Sequence, residues 1–208
     1  MGEMAKSEFV GFPKMGRLRR ECLITEKIDG TNAQICITED NQFLIGTKSQ
    51  WITPDQDNHG FAQWATAHRE ELLGLGIGRH FGEWWGNGIQ RGYGLPNGEK
   101  RWSLFNVSRW CLASDTPQRI PTADPRIEKY QERLPACCGL VPVLWRGLFS
   151  TDACEAAIAD LRANGSKASP GYKLPEGIVV FHLAANIGFK QTLIKDEQPK
   201  FNYETRPI

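Results

Sequence analysis

The chain has no Cys-x-x-Cys pair, no apolar run of membrane-spanning length, no internal repeat and almost no net charge. Its six cysteines are scattered, apart from the adjacent Cys137 and Cys138, and its four histidines are dispersed, so the ligand spacing of a structural zinc site is missing. At 208 residues it is also too long to need the disulfide framework of a small secreted domain. With no signal-like apolar stretch, reduced thiols and a cytoplasmic location are expected. The absence of a long apolar run argues against a membrane span. Lys6 stands where a myristoylation signal requires Ser or Thr. Lys plus Arg number 25 against 24 Asp plus Glu, so any polyanion must be held by a local patch. The strongest such patch, "KMGRLRR" from Lys14 to Arg20, reads first as a solvated face. Gly86, Gly88, Gly92 and Gly94 lie close together but lack the Walker spacing and its Lys-Ser/Thr, so they read first as a loop.

Short runs rich in Ile, Val, Phe and Trp are present at Leu23–Ile28, Ala33–Thr38, Gln42–Thr47, Arg79–Trp85, Arg101–Trp110, Leu140–Leu148, Gly177–Leu183 and Gly188–Ile194. They predict strands, mostly antiparallel. Phe61, Trp64, Ala65, His68 and Leu72 fall at helical spacing, with Asn58 as cap and Gly74 as stop. A second helix is predicted from Asp152 to Ala163, with Asp152 and Glu155 as a capping-box pair and Gly165 beyond its end. A Pro-rich loop over Asp115–Pro125 and a short helix reaching Leu134 complete an α+β pattern without βαβ alternation.

"TEKIDGTNAQICI", Thr25 to Ile37, joins two alternating runs through Asp29-Gly30, a pair suited to a tight hairpin turn. Lys27 is then either a solvated hairpin charge or a nucleophile. The second reading requires a cationic or desolvated setting that releases the neutral amine, together with phosphate binders and a carboxylate for a metal. Glu83, Phe105, Glu176, Lys190 and Lys195 are candidates, each in a strand or at a strand entrance.

Their order resembles that of a known superfamily. Lys27-x-Asp29-Gly30, then Phe81-Gly-Glu-Trp84, Leu104-Phe-Asn-Val107, Glu176-Gly-Ile-Val-Val180 and Phe189-Lys190 resemble the collinear motifs I, III, IIIa, IV and V of covalent nucleotidyltransferases. That superfamily comprises ATP-dependent DNA ligases, RNA ligases and capping enzymes. The resemblance runs from about Cys22 to Lys195, and "EKIDGTN" is most similar to RNA ligases of the phage and RNA-editing type, since DNA ligases and capping enzymes usually carry Arg at Asn32.

The resemblance implies an antiparallel-sheet α+β adenylation domain, ATP-grasp-like as in DNA and RNA ligases, spanning 1–208. It implies ATP and Mg²⁺, or Mn²⁺ in its place, and an RNA or nicked-duplex substrate. Lys27 would carry AMP as a phosphoramide and pass it to a 5′-phosphate before a 3′-hydroxyl seals the strand. Glu26 matches a contact to the adenine amino group, Asn32 a residue near the α-phosphate, Glu83 a ribose ligand, Phe105 a purine-stacking ring, Glu176 a metal-holding carboxylate and Lys190 a phosphate contact. Asp29 would steady Lys27 or a metal-bound water. Two departures stand out: Lys48 occupies a place where relatives often carry Arg, and Lys190-Gln191-Thr192 lacks the second motif V cation unless Lys195 supplies it. Thirteen residues follow Lys195, too few for a C-terminal OB domain, so a lone nucleotidyltransferase domain is expected, with room for an accessory protein or domain in sealing. A compact DNA ligase and an end-binding module without turnover are the alternatives.

Overall fold

The computed structural model describes residues 11–12, 15–112 and 134–194. The expected Pro-rich loop and the helix before Leu134, together with Lys14 and Lys195, lie outside the described residues. Among the described residues nine strands form two sheets. β1 (Glu21–Lys27), β7 (Val143–Leu148), β8 (Gly177–His182) and β9 (Ile187–Thr192) make a four-stranded antiparallel sheet in the order β7-β1-β8-β9. β2 (Thr31–Ile37), β3 (Phe43–Thr47), β4 (Gly78–Gly86), β5 (Lys100–Leu104) and β6 (Cys138–Leu140) make the second, in the order β3-β2-β4-β5-β6, with only the β5/β6 pair parallel.

Strand alternation distributes the apolar residues among three clusters. Ala33, Ile35 and Ile37 of β2 and Trp84 of β4 pack with Phe61, Ala62 and Ala65 of α1 (Phe61–Ala67) on one face of the larger sheet. Cys22 and Ile24 of β1 turn toward Ala157, Ile158 and Leu161 of α3 (Thr151–Asn164). Between the sheets lie Leu23 and Ile28 with Trp85 and Tyr93. Successive strand residues face opposite ways, so the adjacent Trp84 and Trp85 serve different clusters.

Among the element boundaries that differ from the sequence expectation, three are set by side chains. The first helix is capped by Asp57, whose carboxylate accepts the Ala62 and Gln63 N–H groups, while Asn58 donates to the Thr31 hydroxyl instead. It breaks at His68, resumes as α2 (Arg69–Leu72) and stops at Gly76, φ 76°, not at Gly74. α3 is capped by Ser150, whose Oγ accepts from the Ala153 N–H, so the expected Asp152/Glu155 box is not the cap. The strand expected over Arg101–Trp110 ends at Leu104. Asn106 Oδ1 accepts the Phe81 N–H and its Nδ2 donates to the Arg79 carbonyl, replacing the next ladder bonds, and a π-helical turn follows over Val107–Cys111.

All six cysteines are free thiols, and no helix among the described residues is long and apolar enough to cross a membrane. Phe61, fully buried among Trp64, Trp84 and Trp102, is the centre of the α1 contact. Phe61→Ala should cost about 3–5 kcal/mol of unfolding free energy in urea denaturation, and a loss below about 1 kcal/mol would contradict this packing.

Candidate active site

Asp29-Gly30 does not close a hairpin. β1 pairs with β7 and β8 and β2 with β3 and β4, so the segment carries the chain from one sheet to the other and leaves Lys27 at the end of β1, inside the cleft between them. The crossing is tight: a Cβ on Gly30 would lie 2.4 Å from the Trp84 carbonyl oxygen. Only glycine fits such an approach without a shift. Its N–H donates to Glu83 Oε1 at 3.1 Å, and Asn32, directly opposite Glu83 across the β2/β4 ladder, donates Nδ2 to Oε2 at 2.8 Å.

Lys27 Nζ lies 2.5 Å from Glu176 Oε2, an ion pair across 149 residues of sequence. Both side chains are mostly shielded, at 23% and 16% exposure. Strand pairing explains the meeting, because Lys27 stands opposite Gly177, the residue after Glu176. Lys27 and Glu176 are thus brought together by one antiparallel ladder.

Two cavities open beside this pair. One, of about 320 Å³, is largely apolar and is lined by Thr25, Ile28, Val141, Val179, Phe181 and Phe105 together with Glu26, Asn32 and Glu83. The other, of about 590 Å³, is polar and holds Lys27, Asp29, Asn32, Glu83 and Glu176 between Lys48 of one sheet and Lys190 of the other. An apolar slot next to a polar trough with three lysines matches the two ends of a nucleoside triphosphate. Phe105 reaches the slot because the Asn106 clamp ends β5 one residue before it.

Glu26 faces away from Lys27, as alternation requires. Oε1 accepts the Ser166 hydroxyl at 2.6 Å, and Oε2 accepts the N–H groups of Lys167 and Ala168 at 2.7 and 2.9 Å. Three of about four acceptor sites are used, which leaves one on Oε1. Burial raises the Glu26 carboxyl above its usual range, and these donors oppose the rise.

Asp29 pairs with Arg91 Nε at 2.7 Å and not with the Lys27 amine, so the expected direct contact to Lys27 is not made. Arg91 also donates to the Leu174 carbonyl, and the Tyr93 hydroxyl accepts the Asp29 N–H while donating to the Lys27 carbonyl. The glycine-rich loop is therefore a buttress of motif I. Sequence reasoning missed Arg91, Tyr93 and Ser166. The one signal in the sequence was the Gly-Tyr-Gly run, where Tyr93 takes φ 49° between two glycines. The basic cluster is not brought to the site. Arg17, Arg19 and Arg20 are exposed at the opposite end of β1, roughly 20 Å of strand from Lys27.

Burial pushes the Glu83 carboxyl up to about 7, against the lowering effects of Lys27, the Gly30 N–H and Asn32. The folded protein therefore holds a proton that the unfolded chain releases. The stability this contributes is complete below about 4.5 and lost as pH rises through about 7. Burial holds His80 at about 4, which gives the opposite trend, stability present above 6.5 and lost as pH falls toward 4. Because the two oppose each other, the difference between Glu83→Gln and wild type isolates Glu83. The variant should gain about 1–2 kcal/mol relative to wild type between pH 4.5 and 8 in urea unfolding, and parallel pH curves would reject the burial of this carboxyl.

The sequence profile described as RNA ligase matches residues 20–195. No curated protein sequence matches. Among solved structures, a Naegleria gruberi RNA ligase variant with ATP and Mn is similar at 19% identity and TM-score 0.56, covering 84% of this chain and 50% of that one. A variant with AMP and Mn gives 20%, 0.56, 84% and 50%, and another with ATP and Mn gives 20%, 0.56, 88% and 53%. The chain spans about half the length of these ligases, and at such identity the likeness shows a shared fold. The profile match covers most of the sequence, and on it the chain belongs to the RNA ligase family.

Proposed function

We propose that this domain is an ATP-dependent RNA ligase that stores AMP on Lys27. The observation that carries the reading is the Lys27–Glu176 pair, 2.5 Å apart where the apolar slot meets the polar trough. The Naegleria ligases were solved with ATP or AMP and Mn, which supports the same nucleotide and a divalent ion here. In this reading adenine enters the slot against Phe105, with its amino group toward the free acceptor site on Glu26 Oε1. Glu83 retains acceptor sites for a ribose hydroxyl, and Asn32 lies beside the α-phosphate.

The triphosphate occupies the trough between Lys48 and Lys190. Lys27 attacks the α-phosphorus, forming a P–N bond while the P–O bond to pyrophosphate breaks. Glu176 is the nearest acceptor for the proton that the amine gives up. Among the described residues no cluster of three or more His, Cys, Asp or Glu side chains can hold a metal. Glu176 alone, with phosphate oxygens and water, still fits Mg²⁺, which keeps most of its waters and uses one or two carboxylates. That ion would supply charge neutralisation on the phosphates. Lys195, a candidate second cation, lies outside the described residues. A 5′-phosphorylated RNA end then takes AMP from Lys27, and a 3′-hydroxyl displaces it.

Intact-mass measurement after mixing protein with ATP and Mg²⁺ should show the gain of one AMP, absent with GTP. Lys27→Ala and Lys27→Arg should both abolish it, because arginine stays protonated. Labelling that survives Lys27→Ala would overturn the assignment. The labelled protein should seal nicked RNA faster than nicked DNA, and the reverse preference would identify a DNA ligase.

Glu176 and Phe105 should separate kinetically. Glu176→Gln should raise the Mg²⁺ needed for labelling, while Phe105→Ala should raise the ATP needed. Identical titrations for the two variants would mean that metal and base roles are wrongly divided.

A further inference from the structure

The larger sheet continues beyond the nucleotide slot as an open face. Ala33, Ile35 and Ile37 point toward α1, so Gln34 and Cys36 of β2 point the other way, with Phe81 and Arg79 directly across from them on β4. Gly46 stands opposite Gln34 on the other side. A Cβ on Gly46 would lie 2.8 Å from Trp51 Cε3 and 3.1 Å from Gln34 Cγ, so the Trp51 ring fills the place of the missing side chain on this same face. Glycine in a strand interior marks such a close approach.

The result is a row of Trp51, Gln34 and Phe81 leading to Phe105, whose N–H donates to the Phe81 carbonyl. Trp51 is 46% exposed, and Arg79 lies 5.6 Å from its ring centroid. A notch of about 150 Å³ among Asn32, Gln34, Lys48, Phe81 and Phe105 connects this row to the slot and the trough. In that notch Gln34 donates Nε2 to the Thr47 carbonyl, and its Oε1 is buried without a partner. Among the described residues neither Lys48 nor Arg79 has a carboxylate partner.

We propose that this face is the track for a single-stranded segment of the RNA substrate, with Trp51 as its stacking platform and Arg79 as a phosphate contact. The inference rests on the ligase reading and adds to it the place where the polynucleotide lies. An exposed indole with a guanidinium over its ring and no carboxylate on that guanidinium offers a surface for a base and a charge for its phosphate, the combination by which single strands are held without sequence preference. The row ends at Phe105, so a strand on it delivers its terminus to the cleft that holds Lys27. The basic cluster at the far end of β1 offers no such continuity.

Fluorescence anisotropy with a 5′-phosphorylated, dye-labelled RNA oligonucleotide tests the track, with AMP labelling followed by mass in the same preparations. Trp51→Ala should weaken RNA binding roughly tenfold or more and Trp51→Phe should restore most of it, while both label normally. Arg79→Ala should reduce the slope of log affinity against log salt by about 0.7. Unchanged RNA affinity in Trp51→Ala and an unchanged salt slope in Arg79→Ala, with normal labelling, would overturn the track and leave the ligase reading intact. Wild-type protein that neither labels nor binds RNA would overturn both.

Discussion

Everything at the site depends on one close approach, the passage of Gly30 beneath the Trp84 carbonyl as the chain leaves one sheet for the other. Three residues earlier stands Lys27, and two residues later Asn32. Because the crossing is fixed by backbone contact, the amine and the amide are held on opposite walls of a single cleft. Glu83 completes the join, accepting from Gly30 and Asn32 on one carboxylate. A larger side chain at position 30 would force the sheets apart at the point where they must be nearest.

Around that crossing, the hydrogen bonds form one connected structure. Glu26 ties β1 to the segment after α3, Tyr93 and Arg91 tie the glycine-rich loop to the motif I turn, and Arg91 reaches the Leu174 carbonyl two residues before Glu176. Ser169 closes the circuit by donating to the Tyr93 carbonyl. Apart from Glu26 and Asp29, which line the slot and the trough, these groups line neither cavity. Their effect is to fix the ends of strands whose last residues carry the chemistry, as a preorganised site requires.

The sequence made some of this legible and concealed the rest for identifiable reasons. Strand alternation placed most strand centres, and the order of the five motifs anticipated the meeting of Lys27, Glu83, Phe105 and Glu176. It could not reveal that Asp29-Gly30 crosses between sheets, because Asp-Gly suits a hairpin equally well. The choice is made by pairing with β7 and β8, more than a hundred residues away. Likewise the end of β5 is decided by the Asn106 amide, which bonds to the β4 backbone, and not by any break in the apolar run. Arg91 gave no periodic signal, and its importance arises only from the place to which the loop folds.

The position of the crossing has a mechanical consequence. When two rigid plates share a short connection, points beside it are displaced least by a small relative rotation, and points far from it most. Lys27 lies at that fulcrum, whereas Lys48 and Lys190 sit on separate plates with the trough between them. Rocking of one sheet against the other would therefore widen or narrow the trough between Lys48 and Lys190 while displacing Lys27 least. In the proposed ligase reading, the fold separates the accuracy needed for bond formation from the compliance needed to admit and release a charged ligand.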